Sequence, residues 1–286
     1  MKRIIPRLDI KGPNLVKGIN LEGLRVLGDP SIIAQHYAEN GADELIFQDV
    51  VASLYNRNSL VKIVEKVAKN IFIPLTVGGG IRSLNDIEEL LKVGADKICI
   101  NTAAIKDYKF IYEASRVFGS STIVIAIESI KSIDDGEYYA FTDNGREITG
   151  KKVLEWVKEV EDNGAGEIVL TSVDREGTGE GFESILIHEV LKISNIPIII
   201  HGGASSKDDV LKLFQDEKRA NAVALASILH YDCIENLSDK YNFISSEFEG
   251  NKSFLKAFQK PKKFKSVSID ELKHYLIANK ISLRNE

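Results

Sequence analysis

The sequence is short of cysteine, of excess positive charge and of long apolar runs, and each shortage closes off a class of function. Two cysteines, Cys99 and Cys233, stand in 286 residues. They provide neither a disulfide framework nor a thiolate metal cluster. Lys and Arg number 37 against 42 Asp and Glu, a formal net charge of −5. A general nucleic-acid surface needs clustered cations to neutralise phosphate, so that class is set aside. No stretch approaches the roughly 18 uncharged apolar residues of a membrane span. Met1-Lys2-Arg3 leads into a short apolar run and then Arg7 and Asp9, which is not a signal-peptide pattern. The expectation is a soluble, reduced, cytoplasmic protein that engages neither nucleic acid nor membrane, and no cofactor or metal is implied.

What is present is an alternation. Short runs rich in Val, Ile and Leu begin near Ile4, Glu44, Pro74, Lys97, Ile123, Glu167, Ile198 and Ala222. Nearly continuous apolar runs are typical of parallel strands buried on both faces. Between them lie amphipathic stretches such as Ser59–Asn70, Asn85–Val93 and Gly150–Asn163, which predict helices. Eight such alternations imply a closed barrel or a doubly wound sheet.

An internal repeat decides between the two. The segment Pro74-Leu75-Thr76-Val77-Gly78-Gly79-Gly80 through Ser83 returns 123 residues later as Pro197-Ile198-Ile199-Ile200-His201-Gly202-Gly203 through Ser206. Asn101-Thr102 at one strand end is echoed by Ala226-Ser227, Glu44 by Glu167, and Asp9 by Glu128. Two copies of a four-unit module predict an α/β fold of the (β/α)₈ TIM-barrel class, made of two half-barrels, as a single domain over residues 1–286. Two departures from a bare barrel are expected. Asp135-Gly136 and Asn144-Gly145 predict a β-hairpin insertion at 129–149. Residues 232–266, rich in Phe, Lys and Ser, form an inserted segment before a last helix at Ile269–Asn279; its basic run Lys260–Lys265 reads as solvated surface rather than an anion site.

Barrel chemistry sits where strands run into their following loops. Glycines there let backbone amides approach a phosphate, and small hydroxyl residues add donors. Gly79, Gly80, Asn101 and Thr102 make one such site, and Gly202, Gly203, Ala226 and Ser227 make the other. A substrate phosphorylated at both ends is the expectation. Asp9 and Glu128, at equivalent strand ends, read as a general acid–base pair. Lys17 on the first loop, with Thr171, Asp174, Glu176 and Gly177 after the sixth strand, are further candidates for substrate contact. Arg3, Glu44, Lys97 and Glu167 open apolar strands at the opposite end; charges entering a barrel floor must pair with one another, whether as structure or as a gate.

Several of these segments carry a family resemblance: Val16-Lys17-Gly18, Gly28-Asp29-Pro30, Thr76 to Arg82, Gly94-Ala95-Asp96-Lys97, Asn101 to Ala104, and Leu170 to Arg175. From residue 2 to about residue 231 the chain resembles the cyclase (HisF-type) subunit of imidazole glycerol phosphate synthase. The resemblance implies a HisH-type glutaminase partner at the barrel floor. It also implies ammonia passing the gate Arg3, Glu44, Lys97 and Glu167, and a bisphosphorylated formimino ribulotide turned into imidazole glycerol phosphate. Under it, Asp9 matches a catalytic aspartate, Lys17 a substrate contact and Asp96 a position facing the partner. The chain departs from the family pattern at Glu128, an aspartate there, and at Arg7, usually cysteine. It departs too at Val51, usually threonine, at Glu176, an aspartate, and at His201, a serine. An added methylene moves a carboxylate by about an ångström, a displacement that costs roughly 10²-fold in rate. Three readings therefore stand side by side: a working cyclase in histidine biosynthesis, a paralogue supplying ammonia to a sugar-amidating ligase for surface polysaccharide, and a silent conduit subunit. The related barrel isomerase fits less well.

Overall fold

Every second residue of the first strand points inward, and that period of two builds the interior. In the computed structural model, which describes residues 1–52, 60–237 and 261–284, β1 (Arg3–Lys11) is followed by an antiparallel hairpin, β2 (Asn14–Ile19) and β3 (Glu22–Gly28), then α1 (Pro30–Glu39). The alternation continues through β4 (Leu45–Asp49), α2 (Val61–Ala68), β5 (Leu75–Gly78), α3 (Leu84–Lys92) and β6 (Lys97–Ile100). A short α4 (Thr102–Lys106) and α5 (Lys109–Phe118) lead into β7 (Ile123–Lys131). Next come β8 (Tyr138–Thr142), β9 (Glu147–Lys152), α6 (Val153–Asp162), β10 (Glu167–Ser172), α7 (Ser184–Ile193), β11 (Ile198–His201), α8 (Lys207–Asp216) and β12 (Ala222–Leu225). α9 (Ser227–Leu237) and α10 (Ile269–Ala278) complete the described elements.

Eight parallel strands close on themselves in the order β1, β4, β5, β6, β7, β10, β11, β12 and back to β1. This is the (β/α)₈ barrel expected from the alternation. Strand starts lie within one residue of those read from sequence, because the apolar runs are the buried strands themselves. Outward residues such as Ile4, Leu8 and Ile10 pack with the helices, while Ile5, Ile46, Cys99, Val124, Val169, Ile199 and Ala224 form a separate cluster inside the barrel. The half-barrel repeat extends to helix caps. Ser83 before α3 and Ser206 before α8 each form a capping box, with Asp86 and Asp209 respectively.

The insertion is larger than its turn signals suggested. β7 runs on to Lys131, pairs with β8, and β8 pairs with β9, so the third strand reaches Lys152 and α6 starts at Val153 rather than Gly150. The first loop carries a hairpin that the sequence reading missed: its polar and glycine content hides the alternation in Glu22–Gly28. Of the segment 232–266, Asp232–Leu237 belongs to α9 and residues 261–266 lead into α10 without regular structure, Lys262, Lys263 and Lys265 being exposed; residues 238–260 and Ser59 lie outside the described residues. Among the described residues no helix is long and apolar enough to cross a membrane.

Candidate active site

Two glycine turns shape the rim. Gly79 has φ 108°, and a Cβ there would meet the Asp49 carbonyl oxygen at 2.4 Å. Gly202 has φ 100°, and its Cβ would meet the Ser172 oxygen at 2.6 Å. Only glycine fits either place, since the chain needs a left-handed backbone pressed against the neighbouring strand end. Beside each turn lies a cavity. Gly79, Gly80, Asn101 and Thr102 line one that is open to solvent, together with Glu128 and Asn144. Gly177, His201, Gly202, Gly203, Ala226 and Ser227 line the other, which is smaller and also open. Thr102 and Ser227 each begin a helix, where free backbone amides and the helix dipole favour an anion.

Between the cavities the mouth is lined with buried charge. Asp9 and Glu128 stand on β1 and β7, four strands apart and so on opposite walls. Glu128 Oε2 accepts the Gly145 amide at 2.9 Å, which brings the β8–β9 turn directly onto the carboxylate. Burial pushes the Glu128 carboxyl up to about 7, against the pull of Arg7 and the hydrogen bonds from Gly145 and Asn101. Asp9 accepts Arg7 Nε at 2.9 Å, and Arg7 also donates to Thr171 Oγ1 at 3.1 Å. The Arg7 side chain is buried inside the barrel. Burial alone would lower its pKa, and the charges of Asp9, Glu176 and Glu128 outweigh that, leaving it above the ordinary value.

Lys17 and Thr171 line neither cavity. Lys17 Nζ donates to Glu176 Oε1 at 2.5 Å and to the Gly18 carbonyl at 2.6 Å, and both partners of this ion pair are buried. Glu176 also accepts the Leu21 amide at 3.3 Å, and its carbonyl accepts the Asn20 amide at 2.8 Å. The β2–β3 hairpin is thereby fastened to the loop after β10. Asp174 turns outward and accepts the Lys131 amide at 2.8 Å. Sequence reasoning singled out Lys17 and Glu176 but not their pairing, and it missed Asn144, which lines the first cavity and donates to the Val50 carbonyl.

At the floor four charges close a ring. Arg3 meets Glu44 at 2.8 Å and Glu167 at 2.5 Å, and Lys97 meets Glu44 at 3.0 Å and Glu167 at 2.9 Å. Burial would raise the Glu44 pKa, and Arg3 and Lys97 overcome it to hold the carboxyl below its usual range. Arg284 adds a 3.1 Å contact to Glu44, a member no spacing could reveal because it arrives from the far end of the sequence. Asp96 is exposed on the same face and accepts the Leu75 amide at 2.8 Å.

Known proteins place this arrangement. A profile of the family described as "Histidine biosynthesis protein" matches residues 3–235. The chain belongs to that family. "Imidazole glycerol phosphate synthase subunit HisF" of Legionella pneumophila is 52% identical over 207 residues, covering 72% of this chain and 97% of the relative. The subunit of the same name from Natranaerobius thermophilus is 44% identical over 246 residues, covering 86% and 96%. That of Prochlorococcus marinus (strain MIT 9215) is 48% identical over 229 residues, covering 80% and 89%. Family membership thus extends over the whole barrel, both glycine turns and all four members of the floor ring.

Proposed function

We propose that this chain is the cyclase subunit of an imidazole glycerol phosphate synthase, acting in histidine biosynthesis with ammonia from a HisH-type glutaminase. The observation that carries the reading is the pair of cavities at matched strand ends of one mouth, with buried Asp9 and Glu128 on opposite walls. A ligand held by a phosphate at each end spans those walls. Gly79, Gly80, Asn101 and Thr102 take one phosphate; Gly177, Gly202, Gly203, Ala226 and Ser227 take the other. Glu128, with its carboxyl near 7, is suited to donate a proton at neutral pH. Asp9, oriented by Arg7, withdraws one on the other side. Lys17 reaches the ligand once a phosphate replaces Glu176 as its partner. The ring of Arg3, Glu44, Lys97 and Glu167 is the ammonia gate, and Asp96 faces the glutaminase.

The test supplies ammonium salt and the bisphosphorylated ribulotide to purified protein. Loss of the ribulotide, abolished in Asp9→Asn, is the expected result. No turnover by the wild type, with Glu128→Asp restoring none, overturns the reading. Arg7 supports a second use of the same barrel: a guanidinium already occupies Asp9, as suits a subunit that hands ammonia on to a sugar-amidating ligase. Under that reading ammonia appears in an amidino sugar product only when the ligase is added, and the ribulotide stays intact.

A further inference from the structure

The strand that carries Glu128 also holds the turn that touches it. β7 pairs with β8 in the register Glu128 to Phe141, and the chain reverses just beyond, between Thr142 and Glu147. The Arg146 amide closes that reversal on the Thr142 carbonyl at 3.1 Å. Asp143, Asn144 and Gly145 all have left-handed backbones, with φ 53°, 61° and 74°. Asn and Asp enter that region at least cost among residues bearing a Cβ, and glycine enters it freely. Three such residues in a row bring the Gly145 amide onto Glu128 Oε2. Two contacts fix the turn there. The buried Asn144 side chain donates to the Val50 carbonyl just past β4. Gly145 rests on Val173, just past β10, so closely that a Cβ would lie 2.8 and 3.2 Å from its methyl carbons but 3.5 Å from its Cβ.

Several groups face the Glu128 carboxyl. Arg7 comes from β1, Asn101 from the start of α4, and Asp143 from the turn itself. Cys99 comes from β6, with a thiol that burial pushes up to about 12 and so keeps uncharged. Asp49, Arg82 and Lys106 line the same cavity. Burial and Asp143 favour the protonated acid, while Arg7 and the bonds from Gly145 and Asn101 favour the carboxylate. The Gly145 bond also fixes where the group stands, because a side chain shorter by one methylene falls about an ångström short of that amide. We propose that the β8–β9 turn is a positioning device for the acid: the Gly145 amide seats the Glu128 carboxyl, and the turn fits this site to glutamate rather than aspartate. This rests on Glu128 acting as the acid of the reaction proposed above.

Two measurements test the turn, and one of them needs no turnover. In protein with ¹³C-labelled glutamate carboxyls, the Glu128 signal is the one missing from Glu128→Gln. Gly145→Ala pushes the turn off Val173 and loses a bond that favours the charged form. The Glu128 midpoint should then climb by about one pH unit, the tenfold weight of one hydrogen bond to a charged group. Gly145→Ala/Val173→Ala removes both crowded methyls and should bring the midpoint most of the way back. Asn144→Gly keeps the left-handed backbone, drops the tie to Val50, and should shift the midpoint the same way by less. A midpoint unmoved by Gly145→Ala, or a shift that the double variant retains, overturns the proposal. If Gly145→Ala does not fold, Asn144→Gly decides, and an unmoved midpoint there overturns it. In the kinetic arm, Gly145→Ala and Glu128→Asp should each lower kcat about tenfold on the acid side of the limb, with the KM for the ribulotide unchanged. A rise in that KM at constant kcat makes the turn a ligand contact and also overturns the positioning role. Absence of wild-type turnover counts against the reaction alone, and the carboxyl titration then decides the turn.

Discussion

Glu128 and Arg7 are the two residues whose surroundings most change what their type would do elsewhere. The Glu128 carboxyl rises from 4.5 to about 7 on folding, burial being the largest cause. The folded chain therefore keeps a proton there that the unfolded chain releases, so the stability tied to it is lost as pH climbs from about 4.5 through about 7. Urea unfolding across that window should show a downward slope that Glu128→Gln removes. If Glu128 is the acid, kcat should fall along the same limb, and the limb should be missing in the Gln variant. Arg7→Met strips the partner from a buried Asp9 and the donor from Thr171. A cost of roughly 3–5 kcal/mol is expected in chemical denaturation, with partial recovery in Arg7→Met/Asp9→Asn, where no lone charge remains. An Asp9→Asn change that fails to rescue would mean the pair is not what stabilises the interior.

At the scale of elements, the β2–β3 hairpin is tied to the loop after β10 by Glu176, which accepts Lys17 Nζ and the Leu21 and Asn20 amides, and by Asn20 Nδ2, which donates to the Val173 and Asp174 carbonyls. Glu176→Ala leaves Lys17 buried without its carboxylate and frees the Leu21 amide. Trypsin should then cut at Lys17 or Arg25 several-fold faster than in the wild type, with the barrel itself protected; equal rates would show that the hairpin is held by other means. Ser83→Ala and Ser206→Ala each remove half of a capping box and should cost about 1 kcal/mol apiece, additively, because the sites are far apart. The sequence made the barrel strands readable, since apolar runs are local signals, while the capping boxes at Ser83 and Ser206 went unread although their Ser-x-x-Asp spacing is also local. It hid the hairpin, because a strand such as Glu22–Gly28 that is exposed along much of its length carries no hydrophobic period. It named Asp9, Glu128, Gly79 and Gly202 as site members from the repeat. It could not show that Arg7 turns onto Asp9, or that Gly145 caps Glu128, since both depend on side-chain direction and on contacts across the mouth.

For the molecule as a whole, the floor ring joins the two halves of the chain and faces the side where a glutaminase is proposed to dock. Glu167→Ala leaves Arg3 and Lys97 sharing Glu44 alone, so both stability and coupling should suffer. Glutamine-dependent turnover in the complex should drop more than ammonium-dependent turnover of the free subunit, and a proportionate drop in both would reduce the ring to a structural brace. The four ring charges are unevenly shared: Arg3, Glu44 and Lys97 come from the first repeat and Glu167 from the second, while Arg284 joins Glu44 from the end of the chain. A chain severed between the repeats would yield one fragment with two cations and one carboxylate at its floor, and another carrying Glu167, the carboxylate that meets both of those cations. Such fragments are complementary rather than self-matching. Two copies of the first fragment would repel where the unlike pair attracts, so the uneven ring selects against half-barrels of one kind assembling with themselves.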